Sequence, residues 1–323
     1  MKVAVGFFDG VHLGHRRILS GADAALTFRN HPATILSPDR VPCLLMSADE
    51  RLAAIASALR PLTSEMKGLT PQEFQNHQTI KEMKGLTPQE FPNHQTIKPS
   101  NHQTRVVALP FTQEMKGLTP QEFITFMKRE FPGLEAIRCG HNWRFGARGA
   151  GNANFARNMG LTVEEVPFVM HGGEAVSSTR IRNALSEGDL ENAAAMLGRK
   201  WSMTGVVFSG KGEGRKMGFP TINIRPIEGS VPLRTGVYSV ETELGLGMAN
   251  WGKAPTMGKD AWTDRVLEVH LKEWCENMPP PEKLSVTFLK FIRGEMTFPT
   301  KEALAAQIAA DCKIADTPML TPP

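Results

Sequence analysis

The feature that most constrains this chain is a change of hydrophobic rhythm near residue 200. Before it, short apolar runs at residues 3–5, 24–28, 106–109 and 136–139 alternate with helical patterns such as residues 48–59. Such alternation predicts a parallel sheet with covering helices, because parallel neighbours need crossover connections. From Trp201 onward, residues 203–208, 236–244, 265–274 and 284–292 read as strands separated by turn residues. Leu267, Val269 and Leu271 alternate with Glu268, His270 and Lys272, so the two sets face opposite sides of a strand. Spaced strands without helices between them predict an antiparallel barrel. Short helices at 179–186 and 189–197, closed by Gly188 and Gly198, join the halves, and a last helix from 301 to about 315 is capped by Thr300. The expected domains are therefore 1–184 and 201–323, with a linker helix at 185–200.

Length agrees with this division, since 323 residues correspond to roughly two domains. A chain of this size buries a core without disulfide or metal staples. With 41% hydrophobic and 22% charged residues, collagen-like, fibrous and wholly disordered classes are excluded. No apolar run reaches the roughly 18–20 residues of a membrane span. Asp9 and His12 interrupt any signal-peptide core, so the expected location is the cytoplasm, with no membrane partner. Cys43, Cys139, Cys275 and Cys312 are far apart, which predicts reduced packing thiols rather than a zinc or disulfide framework. A net charge of +4 is too small to argue for nucleic acid and suits an anionic small substrate equally well.

One segment does not fit either rhythm. The ten residues from Glu65 to Phe74 recur unchanged from Glu82 and again from Glu114, and Asn-His-Gln-Thr units begin at Asn76, Asn93 and Asn101. The irregular spacing excludes a solenoid. Only the third long copy has a suitable setting: Thr119 reads as an N-cap, Pro120 as the first helical residue and Glu122 as the partner in a capping box, with Phe123, Phe126 and Met127 at helical spacing. Residues 62–104 are therefore expected to be an insertion, a duplication scar forming a mobile surface loop. The rival reading is metal binding by His77, His94 and His102.

Two stretches carry candidate chemistry. Residues 3–15 read as a strand, a glycine-containing turn and a helix start, an arrangement whose free N–H groups suit an anion. Gly10 and Gly14 admit phosphate oxygens, and His12 and His15 share a face of the first turn, where they can donate to a phosphoryl group. A zinc site is a poor alternative, for want of a third ligand; capping and packing histidines are the plain one. Residues 210–224 form a glycine loop with basic residues that is neither a P-loop nor a dinucleotide fingerprint. Thr221 and Asn223 flank Ile222 and point to one side of a strand, with oxygens suited to Mg²⁺ and nucleotide phosphates. A glycine-rich hairpin is the plain alternative there.

The first half resembles the H-x-G-H nucleotidyltransferases, and among them the bifunctional bacterial riboflavin kinase/FAD synthetase family. The match runs through His12–Leu13–Gly14–His15, then Thr27–Phe28–Arg29–Asn30–His31–Pro32, then Gly140 to Gly146, then Ser177–Ser178–Thr179–Arg180–Ile181–Arg182. The resemblance implies that His12 and His15 are catalytic and that Gly6, Phe7, Asp9, Gly14, Asn142, Ser178, Thr179 and Arg182 hold ATP. It places His31 near the flavin phosphate. Only about ten residues separate His15 from the strand at Leu26, so the first helix must be short.

In the second half, Gly210 to Ile224 resembles the riboflavin kinase pattern, with Ile222 where that family has alanine; Asn250 to Thr256 and Leu267–Glu268–Val269–His270–Leu271 match two further segments. This implies ATP and Mg²⁺ binding by Gly210, Gly214, Arg215, Gly218, Thr221 and Asn223, the last-named Thr221 and Asn223 being metal ligands. Glu268 becomes the general base on the ribityl hydroxyl, against the plain alternative of a solvated strand residue. The expected fold is a Rossmann-like α/β nucleotidyltransferase domain followed by a six-stranded antiparallel riboflavin kinase barrel with a C-terminal helix. The expected function is ATP-dependent conversion of riboflavin to FMN and of FMN to FAD with release of pyrophosphate. The rivals are a kinase whose adenylyltransferase half is impaired by the insertion, and a non-catalytic flavin or nucleotide sensor. Expected partners are the small molecules riboflavin, FMN and ATP, with self-association left open.

Overall fold

Apolar runs between turn residues become six strands in the first half: β1 (Lys2–Val5), β2 (Ala24–Phe28), β3 (Gln95–Ile97), β4 (Arg105–Leu109), β5 (Ala136–Gly140) and β6 (Thr162–Val166). The computed structural model describes residues 1–59, 95–97, 105–210, 213–227, 229–253, 265–272 and 279–315, with backbone alone at 95–97, 213, 216, 253 and 315. Packing divides the chain into two units, Met1–Pro42 with Ser47–Ser177, and Cys43–Met46 with Ser178–Pro323.

The first unit's sheet runs β3-β4-β2-β1-β5-β6. All its pairs are parallel except β3–β4. β2 and β4 are buried almost along their whole length, which is why they read as continuous apolar runs rather than alternating ones. Val3, Leu26, Val107 and Ile137 from the strands meet Ile124, Met127 and Phe131 in the core. The helix Pro120–Glu130 that supplies Ile124 and Met127 has the expected capping box: the Glu122 N–H donates to Thr119 Oγ1 at 3.2 Å, and the Thr119 N–H donates to the Glu122 carboxylate at 2.8 Å. The first helix, Leu13–Leu19, is as short as expected. A small hairpin, β7 (Met170–His171) with β8 (Glu174–Ala175), closes this unit.

The insertion needs one correction. It was expected to lie outside the fold, yet residues 95–97 pair antiparallel with β4, Thr96 opposite Val107. A ladder is made of peptide groups, so an edge strand can form without an apolar stripe of its own. Residues 62–94 and 98–104, with His77, His94, His102 and the first two long copies, lie outside the described residues.

The second unit begins with helices Ser178–Glu187 and Leu190–Leu197. Its barrel consists of β9 (Ser202–Phe208), β10 (Ile222–Pro226), β11 (Gly236–Thr242), β12 (Gly245–Lys253), β13 (Arg265–Leu271) and β14 (Lys283–Arg293). It closes in the order β10-β13-β12-β11-β14-β9, antiparallel throughout. Ile224, Tyr238, Ala249, Leu267, Val269 and Phe288 fill it. The C-terminal helix Lys301–Ala315 is tied to β14 by Asp311, which is fully buried and accepts from Arg293 Nε and Nη2 at 2.7–3.1 Å.

Candidate functional site

Between β1 and the Leu13–Leu19 helix the backbone bends through an unusual turn. Gly10 has φ +78°, and two non-glycine residues, Phe8 at +58° and Val11 at +40°, are also left-handed. Such conformations cost about 1–3 kcal/mol each, most for a β-branched residue, and persist only where packing imposes them. Phe8 and Val11 are both buried. The turn lies at the carboxyl end of β1, with β2 on one side and β5 on the other. This is where strand order reverses, the crevice in which open α/β sheets bind ligands.

His12 caps the helix: its Nδ1 accepts the His15 N–H at 3.3 Å, which puts the ring proton on Nε2. The His15 ring stacks on it, centroids 3.6 Å apart and planes 19° from parallel. Burial, and then the neighbouring His12, hold His15 well below the usual histidine range, so it is neutral at pH 7. A Cβ on Gly14 would stand 3.1 Å from the His12 ring, so the glycine keeps that ring in place.

Phe7 joins this turn to the end of β2. Its ring meets His31 edge-on at 4.5 Å, and the Arg51 guanidinium lies 3.9 Å from its centroid on the other contact. Arg51, fully buried on helix Ala48–Leu59, donates Nη2 to the carbonyls of Phe28 at 2.7 Å and Arg29 at 2.9 Å. Burial lowers it to about 10, while the buried Asp9 carboxylate works to keep it charged. The sequence reading missed Arg51; its signal was an arginine four residues before Ile55 on the apolar face of a helix. Across the switch point, Asn142 follows β5, its Oδ1 packed near Gly140. The first unit thus brings together Gly6, Phe7, Asp9, His12, Gly14, His15 and His31, with Asn142 past the neighbouring strand end. Ser178, Thr179 and Arg182 lie on the first helix of the second unit, where Arg182 Nε donates to the Cys43 carbonyl at 2.5 Å.

In the barrel, the glycine loop lies over the start of β10. A Cβ on Gly210 would collide with the Asn223 carboxamide at 2.2 Å, and one on Gly214 would reach Thr221 Oγ1 at 3.5 Å. Gly218 has φ +83°, and Arg215 is exposed. The His270 Nδ1 lies 2.8 Å from the Pro220 carbonyl, so it carries the proton and pins the turn that presents Thr221. Glu268 stands directly opposite Asn223 across β10 and β13. Solvent reaches Glu268, yet surrounding protein is dense enough to push its carboxyl up from the ordinary value. A raised carboxylate is better matched to accepting a proton near neutral pH. The site therefore gathers Gly210, Gly214, Thr221, Asn223 and Glu268 at one end of two adjacent strands.

Comparison with known proteins agrees with both halves. The FAD synthetase family model matches residues 1–88 and 70–180, and the riboflavin kinase model matches residues 197–319. The two FAD synthetase segments overlap within the repeated stretch. The bifunctional riboflavin kinase/FMN adenylyltransferase of Pseudomonas fluorescens is 29% identical over 96% of this chain and 90% of its own length. That of Escherichia coli K12 is likewise 29% identical, over 96% and 90%. The crystal structure of a protein described as a macrolide-efflux protein from Streptococcus pneumoniae superposes with a TM-score of 0.73 at 23% identity, covering 97% of this chain and 93% of that one, which is a likeness of fold. With its first 180 residues matched by that model, and a riboflavin kinase domain following, the chain belongs to the FAD synthetase family.

Proposed function

We propose that this chain makes FAD in two ATP-dependent steps, with residues 201–323 phosphorylating riboflavin and residues 1–184 adenylating the FMN formed. The observation that carries the reading is the coexistence of two built sites in one chain. One is the stacked His12–His15 pair at the switch point of a parallel sheet; the other is Glu268 opposite Asn223 on a barrel.

In the kinase, Glu268 accepts the proton of the ribityl 5′-hydroxyl as its oxygen attacks the γ-phosphorus of ATP and ADP leaves. Gly210, Gly214, Arg215 and Gly218 hold the phosphates. The donor set suits Mg²⁺: Thr221 and Asn223 offer neutral hard oxygens beside a loop whose glycines let phosphates approach. Bound with ATP, the ion would be held by Thr221 and Asn223 and would neutralise phosphate charge. In the adenylyltransferase, an FMN phosphate oxygen attacks the α-phosphorus of ATP and pyrophosphate leaves. His12, with its proton on Nε2, and the neutral His15 donate to the phosphoryl oxygens as charge grows there. Gly6, Phe7, Asp9, Gly14, Asn142, Ser178, Thr179 and Arg182 hold ATP, and His31 attends the flavin phosphate. Among the described residues, Cys43, Cys139 and Cys312 are thiols not joined in disulfides. Among the described residues no helix is long and apolar enough to cross a membrane.

A product assay separating riboflavin, FMN and FAD tests the reading. Glu268→Gln should abolish FMN formation and spare FAD formation from FMN. His12→Ala should do the reverse, each loss being on the order of a hundredfold or more. Loss of both activities from either change would count against separate sites. Wild-type protein that makes FMN but no FAD would select the kinase-only alternative, and activities untouched by either change would select the sensor.

A further inference from the structure

The barrel register extends the kinase site by one strand. Glu268 has two cross-strand neighbours: Asn223 on β10 and Asn250 on β12. Directly opposed residues in adjacent strands project to the same face. The flanking residues Ile222, Ile224, Leu267, Val269, Ala249 and Trp251 are all buried in the barrel. Asn223, Glu268 and Asn250 therefore form one outward row across three strands, with the carboxylate in the middle and a carboxamide on each side. Two residues beyond Asn250, Gly252 keeps the same face low. A Cβ there would stand 2.7 Å from Glu295 Oε1 and 3.5 Å from Asn250 Nδ2. Asn250 thus sits between two carboxylate-bearing positions, Glu268 across the ladder and Glu295 beside Gly252.

We propose that Asn250 is a substrate-contacting residue of the kinase, and that its carboxamide grips the hydroxylated chain of riboflavin next to the hydroxyl that reacts. The inference rests on the reading of Glu268 as the base. A polyol presents donors and acceptors on successive carbons. Carboxylates only accept, whereas an amide does both. On the β12 side of Glu268, Asn250 is a neutral group that can donate to a hydroxyl oxygen while Glu268 takes a hydroxyl proton. Asn223 on the other side lies against Gly210 at the glycine loop, where a Cβ would meet its carboxamide at 2.2 Å. Phosphates would then lie on the β10 side of Glu268 and the polyol on the β12 side.

Two variants of the full chain test this, with KM for ATP in the same kinase assay as the control that the barrel is folded. Asn250→Ala should raise KM for riboflavin about tenfold, with KM for ATP unchanged, the effect of one lost hydrogen bond to substrate. Asn250→Asp keeps the size of the side chain but loses the amide donors, so it should also raise KM for riboflavin with KM for ATP unchanged. A riboflavin KM unchanged in both variants would overturn the proposal. Glu268→Gln run alongside separates the two ideas: full kinase activity in that variant would remove the base itself, whatever Asn250 does.

Discussion

At the scale of single residues, burial moves ionisable groups of the two candidate sites in opposite directions. It holds His15 well below the usual histidine range and pushes the Glu268 carboxyl up. The His15 shift has a consequence for stability. Its folded-state pKa lies below that of the unfolded chain, so above about pH 6.5 it is neutral in both states and contributes no pH dependence. Below that, the unfolded chain takes up a proton that the folded one refuses, and stability falls with pH by at most about 1.4 kcal/mol per unit until the folded value is reached. His15→Gln should flatten this slope between pH 6.5 and 5 in chemical denaturation of the first unit. An identical slope in both proteins would show that other groups govern acid unfolding. Arg51 and Cys139 are shifted by burial in the same senses but keep their ordinary state: Arg51, lowered to about 10, stays charged at pH 7, and the Cys139 thiol, pushed to about 12, stays protonated.

At the scale of elements, the outcome followed the strength of the local pattern. The parallel strands β1, β2, β4 and β5, the Thr119 capping box and the alternation of β13 were legible because each buries a simple apolar run or satisfies its own backbone. β12 was not, because Gly245, Gly247 and Gly252 weaken its strand character. The structure explains one of them: a Cβ on Gly247 would lie 2.1 Å from the His270 carbonyl, so close approach of β13 requires glycine there. β3 was missed because its contribution is backbone pairing, which leaves no mark in composition. Around the candidate sites, the short motifs stand out in the sequence itself, whereas the Arg51 contacts and the alignment of Asn250 with Glu268 arise through long-range register. Gly146 shows a motif position with a packing cause. It has φ +71°, and a Cβ would meet the Pro120 nitrogen at 2.7 Å. Gly146→Ala should therefore cost about 2–5 kcal/mol, combining a left-handed alanine with a backbone clash. A melting temperature within a degree of wild type would contradict that packing.

At the scale of the whole molecule, each unit carries its own core, and the barrel strands with Glu268 lie wholly in the second. Destabilising the barrel strands should therefore cost the kinase more than the adenylyltransferase. The Arg293–Asp311 pair belongs to the second unit, with Asp311 buried and also accepting from Gln307 at 2.9 Å. Asp311→Ala leaves Arg293 without that partner and should destabilise the barrel by about 3–5 kcal/mol. After timed heating, riboflavin phosphorylation should be lost at lower temperature than in wild type while FAD formation from FMN persists. Loss of both in step would mean that the units unfold as one.

The edges of the first sheet bear on how copies of this molecule coexist in a crowded solution. An open strand edge invites a neighbour's strand, and long apolar edges are the dangerous ones. Without β3, the outermost strand on that side would be Arg-Val-Val-Ala-Leu, almost wholly buried in composition and habit. Instead the rim is a three-residue antiparallel strand, too short to template a partner well. The opposite rim, β6, carries Glu164 and Glu165, both engaged with arginines. The duplicated stretch thus leaves three residues, rather than the apolar β4, as the last described strand on the β3 side.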